Sequence, residues 1–178
     1  MARHVLLLRG INIGARNRIS MRELRKTLAE AGFEDVRTHL QSGNVVLASG
    51  GESENVAAKV AQQISARFGL EIPVLARTHA ELAAAVKRNP LGRVAVDPKR
   101  HLVTFLSGEL GEEVVRKLEG LAVPPEKVVA MGREVYSWHP ETIARSRLWT
   151  ELAGKRLGVT ATSRNWSTVQ ALLALAGE

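Results

Sequence analysis

Val5-Leu6-Leu7-Leu8-Arg9-Gly10-Ile11-Asn12-Ile13-Gly14-Ala15-Arg16-Asn17-Arg18-Ile19-Ser20-Met21-Arg22-Glu23 carries, in order, an apolar run, a polar glycine-containing loop and a helix start. Residues 4–8 are short, apolar and followed by glycine, which predicts a buried strand. Ser20 and Glu23 form a capping box. Behind it Met21, Leu24, Leu28 and Ala31 recur at helical spacing until Gly32 stops the helix. The loop between the two elements, Arg9 to Arg18, is long for a βα connection, and long loops in compact domains are more often functional than idle.

Working outward, Val36, Thr38 and Leu40 alternate with Arg37 and His39 as a half-exposed strand does. Gln41-Ser42-Gly43-Asn44 reads as a turn, and Val45-Val46-Leu47 as the returning strand. Val56, Val60, Ile64 and Phe68 mark a second helix closed by Gly69, and Ile72–Leu75 a short strand. The order is β-α-β-β-α-β, the ferredoxin-like unit. Thr78 and Glu81 cap a linking helix that runs to about Asn89.

The same order recurs in the second half. It holds a strand at 102–106, a helix at 112–121, a hairpin around Gly132-Arg133, and a helix starting near Pro140 and stopped by Gly158. A strand at 159–162 and a closing helix from Trp166 complete it. The predicted fold class is therefore α+β, a tandem duplication of two ferredoxin-like units with a linking helix and a C-terminal helix. Its expected boundaries are 1–78, 79–100 and 101–178. The first and third strands look apolar on both sides. Their second face must then be covered, by the other half of the chain or by a second subunit.

Composition narrows the chemistry. Of 178 residues, 45% are apolar and 24% charged, ordinary globular values. A net charge of +7, mostly from arginine, favours anionic partners. There is no cysteine, which removes disulfides, thiolate metal sites and thiol nucleophiles. Val5–Leu8 is too short for a signal sequence and no segment has the length of a membrane span, so a cytoplasmic location without membrane contact is expected. His4, His39, His79, His101 and His139 form no metal-binding spacing, so neither a metal nor a cofactor is expected. No Gly-x-Ser-x-Gly elbow is present either.

Two polar clusters remain as candidate sites. First and third strands of a ferredoxin-like sheet are antiparallel neighbours, so Arg9 and Asn12 should lie near Gln41, Ser42 and Asn44. Arg16 and Arg18 add charge, and the glycines permit close backbone approach to a ligand. The bland alternative is that Asn12 and Asn44 satisfy turn backbone. In the second half Arg145, Ser146, Arg164 and Asn165 are expected at one edge, at helix starts that favour anions. There the alternative is that Ser163 or Asn165 caps a helix and Trp166 packs in the core.

Leu7-Leu8-Arg9-Gly10-Ile11-Asn12-Ile13-Gly14, Gln41-Ser42-Gly43-Asn44-Val45-Val46 and Arg164-Asn165-Trp166 resemble the bacterial domain-of-unknown-function family DUF1697. So do Arg133–Tyr136 and Arg156–Val159, which extends the resemblance over nearly the whole chain. Ala15 stands where a second glycine is common, and Ala144 where glycine often precedes the Arg-Ser pair. The resemblance implies a tandem α+β fold and no established activity.

Three function classes follow. The favoured expectation is an anion-binding protein that holds a small phosphorylated or carboxylated ligand in a cleft lined by Arg, Asn, Gln and Ser loops. The second is a nucleic-acid-binding module contacting phosphates through basic loops. With aromatics at only 4% of the chain, a base-stacking sheet is not expected. The third is a protein-interaction domain. Whether the protein is an enzyme, and whether it is a monomer or a homodimer, the sequence leaves open.

Overall fold

The computed structural model describes residues 1–178, which divide into two compact units. One comprises residues 1–84 with 171–178, the other residues 85–170. The architecture is α+β, with two four-stranded antiparallel sheets.

In the first unit the elements are β1 (Ala2–Leu8), α1 (Met21–Glu30), β2 (Glu34–His39), β3 (Asn44–Ser49), α2 (Ser53–Phe68) and β4 (Val74–Thr78). The sheet runs β2-β3-β1-β4, the order expected of a ferredoxin-like unit. Val5 faces Val46, and Leu7 faces both Asn44 and Leu75 across the ladder. Leu6, Leu8, Val45 and Leu47 point to one side, where they pack with Leu24 and Leu28 of α1 and Val60 and Ile64 of α2. Pleating sends Val5, Leu7 and Val46 to the opposite side. These three are also buried, within this chain alone.

Local chemistry explains the element ends. The Ser20 hydroxyl accepts the Glu23 N–H at 3.3 Å and starts α1. Gly69 takes φ +68° and its N–H returns to the Ser65 carbonyl, closing α2. Thr78 and Glu81 form a reciprocal capping box, Glu81 N–H to Thr78 Oγ1 at 3.1 Å and Thr78 N–H to Glu81 Oε2 at 2.8 Å. It opens the linking helix α3 (His79–Lys87).

The second unit repeats the plan with β5 (His101–Leu106), α4 (Glu112–Leu121), β6 (Lys127–Met131), β7 (Glu134–Trp138), α5 (Arg147–Leu152), β8 (Ala161–Asn165) and the start of α6 (Trp166–Gly177). Its sheet order, β6-β7-β5-β8, is the same permutation. Every residue of β5 and β7 is buried. Leu106, Leu118, Val135, Leu148, Leu152 and Ala161 form its core with Leu157. No helix of the chain is long and apolar enough to cross a membrane.

Several boundaries differ from the sequence reading. The helix expected from Pro140 begins at Arg147, because Ser146 is its cap: the hydroxyl accepts the Trp149 N–H at 3.1 Å. It ends at Leu152 rather than at Gly158. Strand β4 starts at Val74, two residues after Ile72, and β8 starts at Ala161 rather than Val159. The last turns of α6 pack with the first unit, not the second. Arg37 Nη1 meets Glu178 Oε2 at 2.7 Å, and Arg3 Nη2 donates to the Glu178 carbonyl at 3.0 Å.

Gly43 is the tightest point in the first unit. It holds φ +87°, and a Cβ there would lie 2.7 Å from Leu8 Cβ. Gly43→Ala should therefore cost about 2–4 kcal/mol in urea denaturation, from backbone strain and overpacking together. Gly50, with open space around it, is the control: Gly50→Ala should change stability by no more than about 0.5 kcal/mol. Equal effects at the two positions would contradict this packing.

Candidate functional site

The loop between β1 and α1 is held from within. Gly10, Asn12, Gly14 and Asn17 all take positive φ. Asn12 Oδ1 accepts the Ile19 N–H at 2.8 Å, and its Nδ2 donates to the carbonyls of Ile19 (2.9 Å) and Gln41 (2.7 Å). Asn17 Nδ2 donates to the Gly10 carbonyl at 2.9 Å. In the neighbouring turn the buried Asn44 donates to the His39 carbonyl and to Ser42 Oγ, both at 3.0 Å. Asn12 and Gln41 thus meet across 29 residues of sequence. Their contact shapes backbone, as asparagine commonly does in turns. Arg16 and Arg18 are exposed, Arg18 donating to the Gly14 carbonyl at 3.1 Å, while Arg9 is half-buried.

The second cluster divides. Arg164, in β8, is 9% exposed and donates to Thr162 Oγ1 (2.7 Å) and the Ser163 carbonyl (2.9 Å). Burial pushes its pKa down to about 10, which leaves it charged at neutral pH. Asn165 Oδ1 accepts the Thr168 N–H at 2.9 Å and caps α6, and Trp166 stacks on His101 with centroids 4.6 Å apart. Asn165 thus follows the structural alternative, whereas Trp166 is half-buried against His101 and stands outside the core cluster. Register places the ends of β7 and β8 at one end of the sheet, with β5 between them. Arg145 and Ser146 lie in the loop after β7, where they line a cavity of about 370 Å³.

Two segments wall that cavity, residues 123–126 and residues 140–147. Glu126 joins them. Its Oε1 accepts the Val123 N–H at 3.1 Å, and its Oε2 accepts the Ser146 hydroxyl at 2.5 Å. His139, fully buried at the end of β7, sets Nδ1 3.0 Å from the same Oε2 and 3.1 Å from Ser146 Oγ. Its Nε2 lies 2.9 Å from Ser137 Oγ. This network assigns the proton to Nδ1, with Nε2 accepting from Ser137. Burial pulls the His139 pKa below the ordinary histidine value, against the opposing pull of Glu126. For Glu126, burial pushes the pKa up, but hydrogen bonds from Ser146, the Val123 N–H and His139 outweigh it, and the carboxyl sits below its usual range.

This trio is not a hydrolase triad. Ser146 and Glu126 both face Nδ1, so no proton can pass from the serine through the ring to the carboxylate. Ser146 is also the cap of α5. No group of three His, Asp or Glu side chains is placed to hold a metal ion. Glu126, His139 and Arg147 carry no site role in the sequence pattern alone. The available signal was His139-Pro140 at the end of a hairpin strand, a buried polar residue at the mouth of a loop.

A family model described as "Protein of unknown function (DUF1697)" matches residues 1–136. The chain belongs to that family. The conserved bacterial protein SP0830 from Streptococcus pneumoniae has a solved structure that is 22% identical, superposes with a TM-score of 0.80 and covers 98% of each chain. At that identity it speaks to fold alone. The solved structure of "Putative Chlorite dismutase TA0507" aligns at 11% identity over 98% of this chain and 99% of its own, but its TM-score of 0.27 is too low to carry an argument. No curated protein matches. The family match ends before His139, so the cavity's 140–147 wall lies outside it.

Two of the three buried histidines, His101 and His139, predict acid sensitivity. Both have folded-state pKa values below the unfolded value of about 6.5, His101 down to about 4 through burial. The unfolded chain therefore binds protons first as pH falls, and stability is lost from about pH 6.5 downward. Thermal melts from pH 7.5 to 4.5 should show a falling Tm, with a shallower slope for His139→Gln. A flat profile would refute the neutral, buried state.

Proposed function

We propose that the second unit binds a small phosphorylated or carboxylated compound carrying an apolar body, in the cavity between residues 123–126 and 140–147. One observation carries this reading: Arg145 and Arg147 line a cavity whose inner carboxylate, Glu126, is already engaged by three hydrogen-bond donors. Glu126 and Glu141 balance Arg145 and Arg147 in formal charge, but the Glu126 oxygens are already occupied by donors, so the two exposed guanidinium groups are what an incoming anion meets. Guanidinium groups suit carboxylate and phosphate oxygens because two N–H groups can donate in parallel. Val123, Pro124, Pro125 and Pro140 supply apolar walls that an inorganic ion would not use. The volume falls within the range typical of small-ligand pockets, about 300–1,000 Å³. Its acid–base groups hold each other in place, which favours binding over proton transfer.

Calorimetric titration with phenyl phosphate and with inorganic phosphate tests this. Phenyl phosphate should bind more tightly, because only it uses the proline walls. Arg145→Ala/Arg147→Ala should weaken it by about 10- to 100-fold, the value of one or two charge-assisted hydrogen bonds, with Tm unchanged. Binding that is equal for the two compounds, or unaltered in the double variant, would overturn the reading.

A further inference from the structure

A different surface, in the first unit, points beyond the small-ligand pocket. Two large aliphatic side chains stand out there: Ile13 is 68% exposed and Leu40 is 61% exposed. They occupy adjacent loops, since Asn12 and Gln41, their chain neighbours, are hydrogen-bonded at 2.7 Å. Leu40 also holds φ +59°, a conformation that glycine or asparagine adopts far more cheaply than leucine. A strained backbone presenting an apolar side chain to water costs stability twice. Such sites concentrate where function requires them.

The charge within these two loops has one sign. Residues 9–19 and 40–44 contain Arg9, Arg16 and Arg18 and no Asp or Glu. Arg22 follows on the exposed side of α1. The acid nearest in sequence, Glu23, is paired with Arg67 at 3.3 Å. Both loops are rigid by construction, through the bonds of Asn12, Asn17 and Asn44, so little ordering is left to oppose binding. Their partner must be anionic and must offer apolar contact between or beside its charges.

We propose that this loop pair docks on nucleic acid, with Arg16 and Arg18 on phosphates and Ile13 and Leu40 as apolar contacts against base or sugar. Aliphatic wedges beside phosphate-binding arginines are a known way of gripping nucleic acid without aromatic stacking. The sheet cannot serve, because both faces of β1 and β3 are buried along Val5–Leu8 and Val45–Leu47. Phosphate contact through loops gives affinity without sequence preference.

Fluorescence anisotropy of the intact chain with a labelled DNA duplex and a labelled single-stranded RNA, from about 20 to 150 mM salt, tests the proposal. Saturable micromolar binding to at least one probe is expected, and the arm that binds more tightly identifies the source of the phosphates. Each phosphate contact should contribute a log–log salt slope of about −0.9 on a duplex. Arg16→Ala/Arg18→Ala should flatten the duplex slope by about 1.8, whereas Arg16→Lys/Arg18→Lys should keep it, separating charge from a structural role. Leu40→Gly should weaken binding several-fold while leaving Tm unchanged or higher. No binding to either probe at low salt, or full binding by the double alanine variant, would overturn the proposal. The phenyl phosphate assay reads the other unit and fails or succeeds independently.

Discussion

Each sheet is built on a central strand with no wet side. In β1 every residue from His4 to Leu8 is buried, and in β5 every residue from His101 to Leu106. An antiparallel sheet with one solvated face would set polar side chains on alternate positions of its central strands, where they could bind or react. Here both faces exclude water, so exposed polar chemistry is displaced to the strand ends and the loops that leave them. This explains why the charged groups available to a ligand sit after β1 and after β7, and why a stacking platform on the sheet is not an option for either unit.

The same constraint decided how much could be read from sequence. Continuous apolar runs such as Val5–Leu8 and Val45–Leu47 announce doubly buried strands, and the capping residues Ser20, Thr78 and Gly69 announce helix ends. The order of elements followed from these alone. The second half was harder to read. Pro140 carries a strong prior for a helix start, yet the side chain that satisfies a free helical N–H belongs to Ser146, six residues on. Proline favours a backbone angle, whereas the serine hydroxyl supplies a hydrogen bond, and the bond fixes the boundary. The last turns of α6 group with the first unit, where the ion pair of Arg37 with Glu178 joins residues 141 apart, a pairing no local pattern announces.

Site residues were legible by type and not by role. Arginine, asparagine and glutamine in glycine-containing loops mark polar ends of strands correctly. Asparagine, though, serves its own backbone as readily as a ligand, and Asn12, Asn44 and Asn165 all do so. The cavity in the second unit depends on Glu126 and His139, a carboxylate and a ring brought together from both sides of a hairpin. Glu126 binds Val123 N–H, Ser146 and His139 at once, holding the two walls of the cavity in register. Arg145 and Arg147 then gain their interest from the wall they stand on, which no spacing in the sequence reveals.

The role proposed for this wall is to bind an anion with an apolar body. A titration of the isotopically labelled chain with phenyl phosphate, followed in proton–nitrogen correlation spectra, tests it at residue level. The account predicts progressive, saturable shifts at residues 123–126 and 140–147, with the amides of the first unit unmoved. Shifts absent from those two segments, or centred on the loop from Arg9 to Ile19, would contradict it.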